Sequence, residues 1–351
     1  MSHLGSGTDG TETGPVRAAV LGTGAWGTTF ATVLADAGCE VTLWGIADEV
    51  CAEINSRHTN HDYLPDVVLP AAVRATTDAA EALAGAGLVA IAIPAQVARA
   101  ALEPLAGLLE PDAVAVSLVK GVELSSHRRM SEVVAEALGL PDDRIAVISG
   151  PNLAREIAER QPTATVVASS SEETAKYVAR ACASSYFRPY TNTDVVGVEL
   201  CGAVKNVIAV AVGIAQGVGY GYNTMATVVT RGLVEITRLG LALGADAATF
   251  SGLAGMGDLV ATCASPLSRN HTLGVHIGKG LSLADALAAT QGTAEGVKSS
   301  ASVLELAKSV GVEMPITAAV VAVLHHGLRV DQMAQMLLNR PHKAEGVAPT
   351  A

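Results

Sequence analysis

The feature that most constrains the fold of this chain is a glycine-rich turn near its start, residues 22–27 with the sequence GTGAWG. An apolar segment precedes this turn and a segment of helical character follows it. A G-x-G-x-x-G pattern in that setting predicts a turn that binds the pyrophosphate of a dinucleotide at a helix N-terminus. Gly22 permits the tight turn, Gly24 lets the pyrophosphate approach the backbone, and Gly27 lets helix and strand pack closely. A helix-opening glycine loop without a ligand is the alternative.

Length and composition limit the fold class. At 351 residues the chain is too long for one core and suggests two domains. Half of its residues are apolar, which suits a parallel sheet buried on both faces by helices. The net charge of −11 argues against a nucleic-acid partner. The five cysteines are odd in number and form no C-x-x-C pair, so we expect no disulfide scaffold, no zinc site and a reducing cytoplasm.

Two terminal segments and two uncharged stretches are set apart from the fold. Residues 1–15 are polar and rich in Gly and Thr, so we expect a disordered tail and no signal peptide. We expect residues 341–351 to form a flexible tail. The uncharged stretches 18–35 and 206–230 approach the length of a membrane span, but glycines interrupt both. We therefore predict no span.

The pattern along the chain predicts two architectures. Between 16 and 196, short apolar runs alternate with Ala-rich helical segments, which indicates βαβ units and a doubly wound sheet. The strands are expected at 17–22, 40–44, 73–76, 88–93, 113–118, 145–148, 163–168 and 186–190. From 197 to 340 only helical segments follow, including a nearly all-apolar one at 198–216 and one that starts near Pro266. The cleft between an α/β and an all-helical domain is the default site.

Lys205 is an unusual residue for its segment. It lies in the apolar helical run VELCGAVKNVIA at 198–209, where burial of its charge is expensive. A lysine that faces a polar cleft or a carboxylate can have a lowered pKa and then exchange protons near neutral pH. A lysine at a helix edge whose ammonium reaches solvent is the alternative.

Two further segments carry candidate functional residues. In GLAGMGDLVATC at 252–263, three glycines predict a tight loop that delivers Asp258, whereas a helix N-cap is the plain interpretation. In the next segment, Pro266 suits a first helical position. Ser268, Arg269 and Asn270 would then fall in the first turn, where amides and a guanidinium can bind phosphate. An exposed helical arginine is the alternative for Arg269.

Weaker signals lie at strand ends. Lys120 follows the strand at 113–118, and the turn SGPN at 149–152 follows the strand at 145–148, so both are expected at the carboxyl edge where such sheets bind ligands. The nine histidines show no metal-ligand spacing, and we predict no metal.

Taken together, these motifs resemble one family, the bacterial-type NAD(P)-dependent glycerol-3-phosphate dehydrogenases. The resemblance extends from 16 to about 340 and rests on the order of GTGAWGT, VKG, ISGP, GAVKNV, GMGDL, SRN and AEG along the chain. It implies a Rossmann-type domain followed by an all-α domain of the 6-phosphogluconate dehydrogenase type.

The resemblance also implies roles for individual residues. Lys205 would be the proton acceptor and donor at the C2 hydroxyl of glycerol 3-phosphate, Asp258 would orient it, and Lys120 would touch substrate and cofactor. Further substrate contacts would be Gly150, Asn152, Thr262, Ser268, Arg269 and Asn270. Cofactor contacts would be Gly22, Gly24, Ala25, Trp26, Gly27, Ile46, Lys120, Ala154, Arg269, Thr293 and Glu295.

Two positions depart from the family pattern. Where a cation often binds the 2′-phosphate of NADPH, this chain has Ile46, and Asp48 lies beyond the position that would hold a ribose hydroxyl. The choice between NAD and NADP therefore stays open, with a lean to NADPH from family habit alone. Asn152 replaces the usual Ser or Thr, and its amide can still bind substrate.

The sequence thus predicts a cytoplasmic oxidoreductase that interconverts dihydroxyacetone phosphate and glycerol 3-phosphate and supplies glycerophospholipid synthesis. Its oligomeric state stays open, and a homodimer is the assembly considered. A related dehydrogenase for another hydroxy acid or sugar phosphate is one alternative. A non-catalytic nucleotide sensor is the other.

Overall fold

The computed structural model describes residues 14–290, 294–339 and 341. Its first region contains one eight-stranded sheet with the order β3-β2-β1-β4-β5-β6-β7-β8. Strands β1 to β8 are Arg17–Leu21, Glu40–Trp44, Val73–Thr76, Leu88–Ile91, Val114–Ser117, Ile145–Ser149, Thr163–Ala168 and Phe187–Asn192. The first six strands are parallel, and their order reverses between β1 and β4. This is the doubly wound arrangement that the alternating pattern predicts.

Strands β7 and β8 depart from the predicted parallel sheet. They are parallel to each other, but β7 pairs with β6 in the antiparallel direction. The chain between β6 and β7 carries only the five-residue helix Ala154–Ala158. The antiparallel pairing places Ser149 opposite Val166 and Val147 opposite Ala168. The start of β7 consequently lies beside the carboxyl end of β6.

Seven helices accompany the sheet, and buried apolar residues cover both of its faces. Helices α1 to α7 are Ala25–Asp36, Asp48–Arg57, Ala79–Leu83, Ala95–Leu102, Met130–Leu138, Ala154–Ala158 and Glu172–Cys182. The predicted helix at 96–109 is α4 followed by a 3-10 segment, Glu103–Leu108, because Pro104 lies at its start.

The second region is helical throughout its described residues. Helices α8 to α16 are Val195–Val218, Tyr222–Ala242, Ala247–Phe250, Asp258–Ala264, Arg269–Gly278, Leu283–Ala289, Glu295–Ser309, Pro315–His326 and Val330–Leu338. The α/β-plus-all-α fold class is therefore confirmed. Helix α8 begins two residues before the domain boundary predicted at 196/197, and that boundary stays a prediction.

Helix α8 forms the centre of this region, and every residue from Gly197 to Ala215 is buried. It packs against α12 with backbone touching backbone. A Cβ on Gly213 would overlap the carbonyl oxygen of His271, and one on Gly274 would overlap that of Val210. Glycine is required at both positions because the two helix axes approach too closely for any side chain.

Helix α8 is also the one described helix that is long and apolar enough to cross a membrane by composition. Of its most apolar window, 89% is buried inside the protein. Its apolar surface is thus already covered by the helices around it.

The predicted start of a helix near Pro266 is wrong. The backbone N–H of Ser265 donates to the carbonyl of Ala261 and closes the last turn of α11, so this serine ends a helix. The next helix, α12, begins at Arg269. Ser268 is its N-cap and accepts a hydrogen bond from the amide of His271 at 3.3 Å.

Candidate active site

Side chains from both regions meet where the carboxyl edge of the sheet faces α8 and α11. Lys120 follows β5, and Gly150 directly follows β6, so the sheet places both at this edge. The ammonium of Lys120 donates to the carbonyl oxygen of Gly150 at 3.3 Å. Gly150 has φ +153°, and a side chain there would press against Thr165. These contacts hold Lys120 at the opening of the crevice, where 16% of its side chain is exposed.

Asp258 reaches the crevice through an unusual turn. Residues Leu253–Gly257 form a π-helical turn in which the amide of Gly257 donates to the carbonyl of Gly252 at 3.1 Å. Asp258 is then the first residue of α11, and the N-cap is Gly257. The N-cap interpretation of Asp258 is therefore wrong, and the predicted tight loop is a π-helical turn. The carboxylate of Asp258 is therefore free to accept hydrogen bonds from other donors.

One carboxylate pairs with two lysines from the two regions. Lys120 Nζ donates to Asp258 Oδ2 at 2.8 Å, while Lys205 Nζ donates to Asp258 Oδ1. Lys205 Nζ also donates to Thr262 Oγ1 at 2.6 Å, one turn further along α11. The Asp258 side chain is 1% exposed and that of Lys205 is 7% exposed. Lys205 is thus a buried, paired lysine, and the solvent-reaching alternative is wrong.

The environment of Lys205 changes its acidity. Burial lowers its pKa to about 7, Asp258 opposes this shift, and the positive charge of Lys120 adds to it. A lysine in this state can exchange a proton near neutral pH, which an exposed lysine cannot do. The side chain is also fixed by two partners, so its nitrogen has a defined position.

The other predicted substrate residues lie in the turn after β6 and at the start of α12. Asn152 lies in the turn after β6 and donates from Nδ2 to Thr165 Oγ1 at 2.9 Å. On α12, Asn270 is buried and its Oδ1 accepts from the amide of Gly296 at 2.8 Å. Arg269 occupies the first position of α12, partly exposed. Burial raises the pKa of the carboxyl of Glu295, and the charges of Lys298 and Arg269 oppose this shift.

The glycine-rich turn has the form that a dinucleotide requires. A Cβ on Gly22, whose φ is +120°, would lie 2.6 Å from the carbonyl oxygen of Ala92, and one on Gly27 would overlap the carbonyl of Gly22. A Cβ on Gly24, in contrast, would have nothing within 4 Å. The turn therefore closes on itself at two glycines and leaves space at the third, at the N-terminus of α1. The indole Nε1 of Trp26 is buried there without a hydrogen-bond partner in the structure.

Ala25, Ala154 and Ile46, three further predicted cofactor residues, lie near this turn. Ala25 is the first residue of α1, and Ala154 is joined to α1 because its carbonyl accepts from Thr29 Oγ1 at 3.1 Å. Ile46 is 90% exposed just beyond β2. Asp48 accepts a hydrogen bond from Thr77 Oγ1 at 3.0 Å. Thr293 lies outside the described residues.

The described residues contain no group of three or more His, Cys, Asp or Glu side chains that could hold a metal ion. All five cysteines are unpaired and buried. The polar groups of the predicted site residues are lysines, one carboxylate, one arginine, amides and hydroxyls, a set that suits an organic phosphate and a proton transfer.

Comparisons with known proteins identify the family. The family model for the NAD-dependent glycerol-3-phosphate dehydrogenase N-terminus matches residues 17–175, and the family model for its C-terminus matches residues 194–335. The chain belongs to this dehydrogenase family.

Individual relatives cover nearly the whole chain. A glycerol-3-phosphate dehydrogenase (NAD(P)+) of Streptomyces griseus is 61% identical over 95% of this chain and 99% of its own. The corresponding protein of Thermobifida fusca is 57% identical over 94% of this chain and 98% of its own. The crystal structure of glycerol-3-phosphate dehydrogenase from Coxiella burnetii has a TM-score of 0.88 and 37% identity, over 93% of this chain and 99% of that one. Family membership makes the chain an NAD(P)-dependent oxidoreductase.

Proposed function

We propose that this chain catalyses the NAD(P)-dependent interconversion of dihydroxyacetone phosphate and sn-glycerol 3-phosphate, and that it supplies glycerophospholipid synthesis. The observation that carries the proposal is the pairing of Lys205 and Lys120 on the Asp258 carboxylate at the edge of a dinucleotide-binding sheet. The family relationship supports the same substrate pair.

Lys205 is the proposed acid and base. In the direction of reduction, its ammonium donates a proton to the C2 oxygen as that carbonyl becomes an alcohol. In the reverse direction, its neutral amine takes the proton from the C2 hydroxyl. The lowered pKa supports both roles, because both protonation states are then available near neutral pH.

Asp258 and Thr262 position this nitrogen. Asp258 Oδ1 and Thr262 Oγ1 both accept from Lys205 Nζ, so two of its three donor directions are fixed. The third direction is left for the substrate oxygen. Lys120 holds the other carboxylate oxygen and brings a positive charge to the oxygen that becomes negative in the transition state.

The two ends of the ligands have matching partners. The nicotinamide ring, when bound, exchanges the hydride with C2 of the substrate. The space at Gly24, the first turn of α1 and the free indole N–H of Trp26 support binding of the pyrophosphate. Arg269 in the first turn of α12 supports binding of the substrate phosphate.

The test is a spectrophotometric assay with the purified chain. Dihydroxyacetone phosphate is added to NADH and to NADPH in parallel, and oxidation is followed at the absorbance band of the reduced nicotinamide. Unphosphorylated dihydroxyacetone is the control substrate. We expect oxidation that depends on the phosphate and a larger kcat/KM with NADPH.

The two alternatives give different outcomes in the same assay. A dehydrogenase for another substrate would oxidise the reduced cofactor only with the keto form of a different hydroxy acid or sugar phosphate and would ignore dihydroxyacetone phosphate. A nucleotide sensor would bind the cofactor and turn over none of them. Either outcome contradicts the proposal.

Location in the cytoplasm and assembly as a homodimer are further parts of the proposal. Five unpaired, buried cysteines support a reducing compartment. Sedimentation velocity of the purified chain measures the oligomeric state, and a single monomer boundary at micromolar concentration would contradict the dimer.

A further inference from the structure

A short chain of hydrogen bonds joins β6, β7 and the turn between β6 and α6. Thr165 lies in β7 and is fully buried. Its Oγ1 donates to the carbonyl oxygen of Ser149 at 3.2 Å. The same Oγ1 lies 2.9 Å from Nδ2 of Asn152.

These hydrogen bonds fix the orientation of the side-chain amide of Asn152. A threonine hydroxyl has one proton, and here it is given to the Ser149 carbonyl. Thr165 Oγ1 can therefore only accept from Asn152, so the amino group of Asn152 must face it. The amide oxygen, Oδ1, must face away from Thr165.

The amide oxygen is then left without a partner. Asn152 Oδ1 is buried and accepts no hydrogen bond from the described protein. A buried polar atom in this state is rare in folded proteins unless a ligand or water completes it. The structure thus presents one oriented acceptor that lacks a donor.

This acceptor belongs to the same crevice as the lysine pair. The backbone amide of Asn152 donates to the carbonyl of Gly150 at 2.7 Å, and Lys120 Nζ donates to that same carbonyl. Lys120 in turn holds Asp258. Pro151 lies against the π-helical turn that ends at Gly257. Asn152 is therefore linked to Asp258 through one carbonyl group and one lysine.

We propose that Thr165 is a positioning residue that holds the amide of Asn152 so that Oδ1 accepts a hydrogen bond from the C1 hydroxyl of the substrate. The inference rests on the proposed function. Dihydroxyacetone phosphate carries one hydroxyl, on C1, while its carbonyl oxygen can only accept. An acceptor in the site thus selects substrates that have this terminal hydroxyl, as a buried polar group rejects a ligand that leaves it unpaired.

The experiment compares two substrates in three proteins. The substrates are dihydroxyacetone phosphate and acetonyl phosphate, which lacks only the C1 hydroxyl. The proteins are the unchanged chain, Thr165→Val and Thr165→Ser. Valine keeps the shape of threonine and removes both hydrogen bonds, whereas serine keeps the hydroxyl.

We expect the unchanged chain to have a higher kcat/KM for dihydroxyacetone phosphate than for acetonyl phosphate. In Thr165→Val the ratio of these two kcat/KM values should be about tenfold smaller, which is the effect of one buried hydrogen bond. Thr165→Ser restores the ratio. A purely structural role for Thr165 would lower kcat/KM for both substrates equally, and that result overturns the inference. A change in the KM for the cofactor with an unchanged substrate ratio also overturns it, because the acceptor would then serve the cofactor.

Asn152→Ala tests the same acceptor without a change in β7, in case the valine variant does not fold. It should narrow the substrate ratio to the same extent, and Thr165→Val should add nothing in this background. An unchanged ratio in Asn152→Ala overturns the inference while leaving the proposed function intact. Failure of the unchanged chain to reduce dihydroxyacetone phosphate contradicts the proposed function itself.

Discussion

Gly24 in the sheet half and Gly274 in the helical half serve opposite purposes. In the sheet half, the glycine turn before α1 leaves the Cβ position of Gly24 with no atom within 4 Å. In the helical half, the Cβ position of Gly274 is already taken by the backbone of α8. Space that the chain does not fill is available to a ligand, whereas space that another segment fills belongs to the fold. The comparison separates the binding surface from the packed support behind it.

The two lysines of the site differ between the halves in the same way. Lys120, from the sheet half, stays partly exposed, while Lys205, from the helical half, is almost fully buried on the same carboxylate. The packed half therefore sets the acidity of the group that exchanges the proton, and the open half admits the reactants. The predictions below test this division.

The largest effect is expected from Lys205→Met, which fills the same space without a proton to exchange. We expect kcat to fall by about 10²- to 10⁴-fold, the usual contribution of a general acid or base. Cofactor binding should persist, because the glycine turn lies in the sheet half. Binding is followed by the fluorescence of Trp26 and Trp44, which lie in the same half. Lys308→Met, on an exposed lysine paired with Glu305, is the matched control. Substantial turnover in Lys205→Met would remove the lysine from the chemistry.

Arg269→Ala should raise the KM for dihydroxyacetone phosphate by about 10- to 100-fold, because a hydrogen bond to a charged group contributes about 1.5–3 kcal/mol. Initial rates with phosphorylated and unphosphorylated dihydroxyacetone measure the effect. The variant should lose most of its preference for the phosphorylated form. Arg329→Ala, at an exposed arginine paired with Asp331, serves as control. An unchanged KM would place the phosphate elsewhere.

The two directions of the reaction should respond oppositely to pH. Because burial lowers the pKa of Lys205 to about 7, its ammonium is lost as the pH rises through that value. Reduction requires the ammonium, so its kcat/KM should fall about tenfold per pH unit above this pKa. Oxidation of glycerol 3-phosphate requires the neutral amine and should lose activity as the pH falls below it. Parallel profiles in both directions would contradict the assignment.

A paired substitution tests the glycine comparison directly. Gly274→Ala forces a methyl group into the carbonyl of Val210 and should lower the free energy of unfolding by about 1–3 kcal/mol. Gly24→Ala meets no atom of the chain, so it should leave unfolding almost unchanged and weaken cofactor binding. Thermal unfolding without ligand and fluorescence titration with NADPH separate the two. Equal losses of stability would show that both glycines serve only the fold.

The smallest effect is expected at the exposed end of β2. Ile46→Arg adds a cation where the 2′-phosphate of NADPH would lie, and it should raise the preference for NADPH over NADH by roughly two- to fivefold, as an exposed charge pair contributes little. The ratio of kcat/KM for the two cofactors measures this change. Ile46→Gln controls for loss of the apolar side chain, and an equal shift in that variant would exclude the charge as the cause.

Local patterns in the sequence were sufficient for much of the fold. The strand–glycine–helix pattern around Gly24 predicts both the turn and its place in the sheet, because each step depends on neighbours in sequence. The predictions were wrong where contacts between residues distant in sequence determine the local structure. The Ser265-Pro266 pattern predicts the start of a helix, yet α11 ends just before it. The antiparallel direction of β7 relative to β6 is likewise a feature of strand pairing that the apolar run at 163–168 does not indicate.

Residue types and their spacing along the chain establish which groups are available: a glycine turn, a lysine in an apolar helix, and an acid after three glycines. These features depend on short-range spacing, so they can be recognised in the amino-acid sequence. The packing of the two regions brings Lys120 and Lys205 to one carboxylate and orients the amide of Asn152 against Thr165. These contacts join residues far apart in sequence, and both burial and hydrogen-bond direction depend on the complete packing of the two regions.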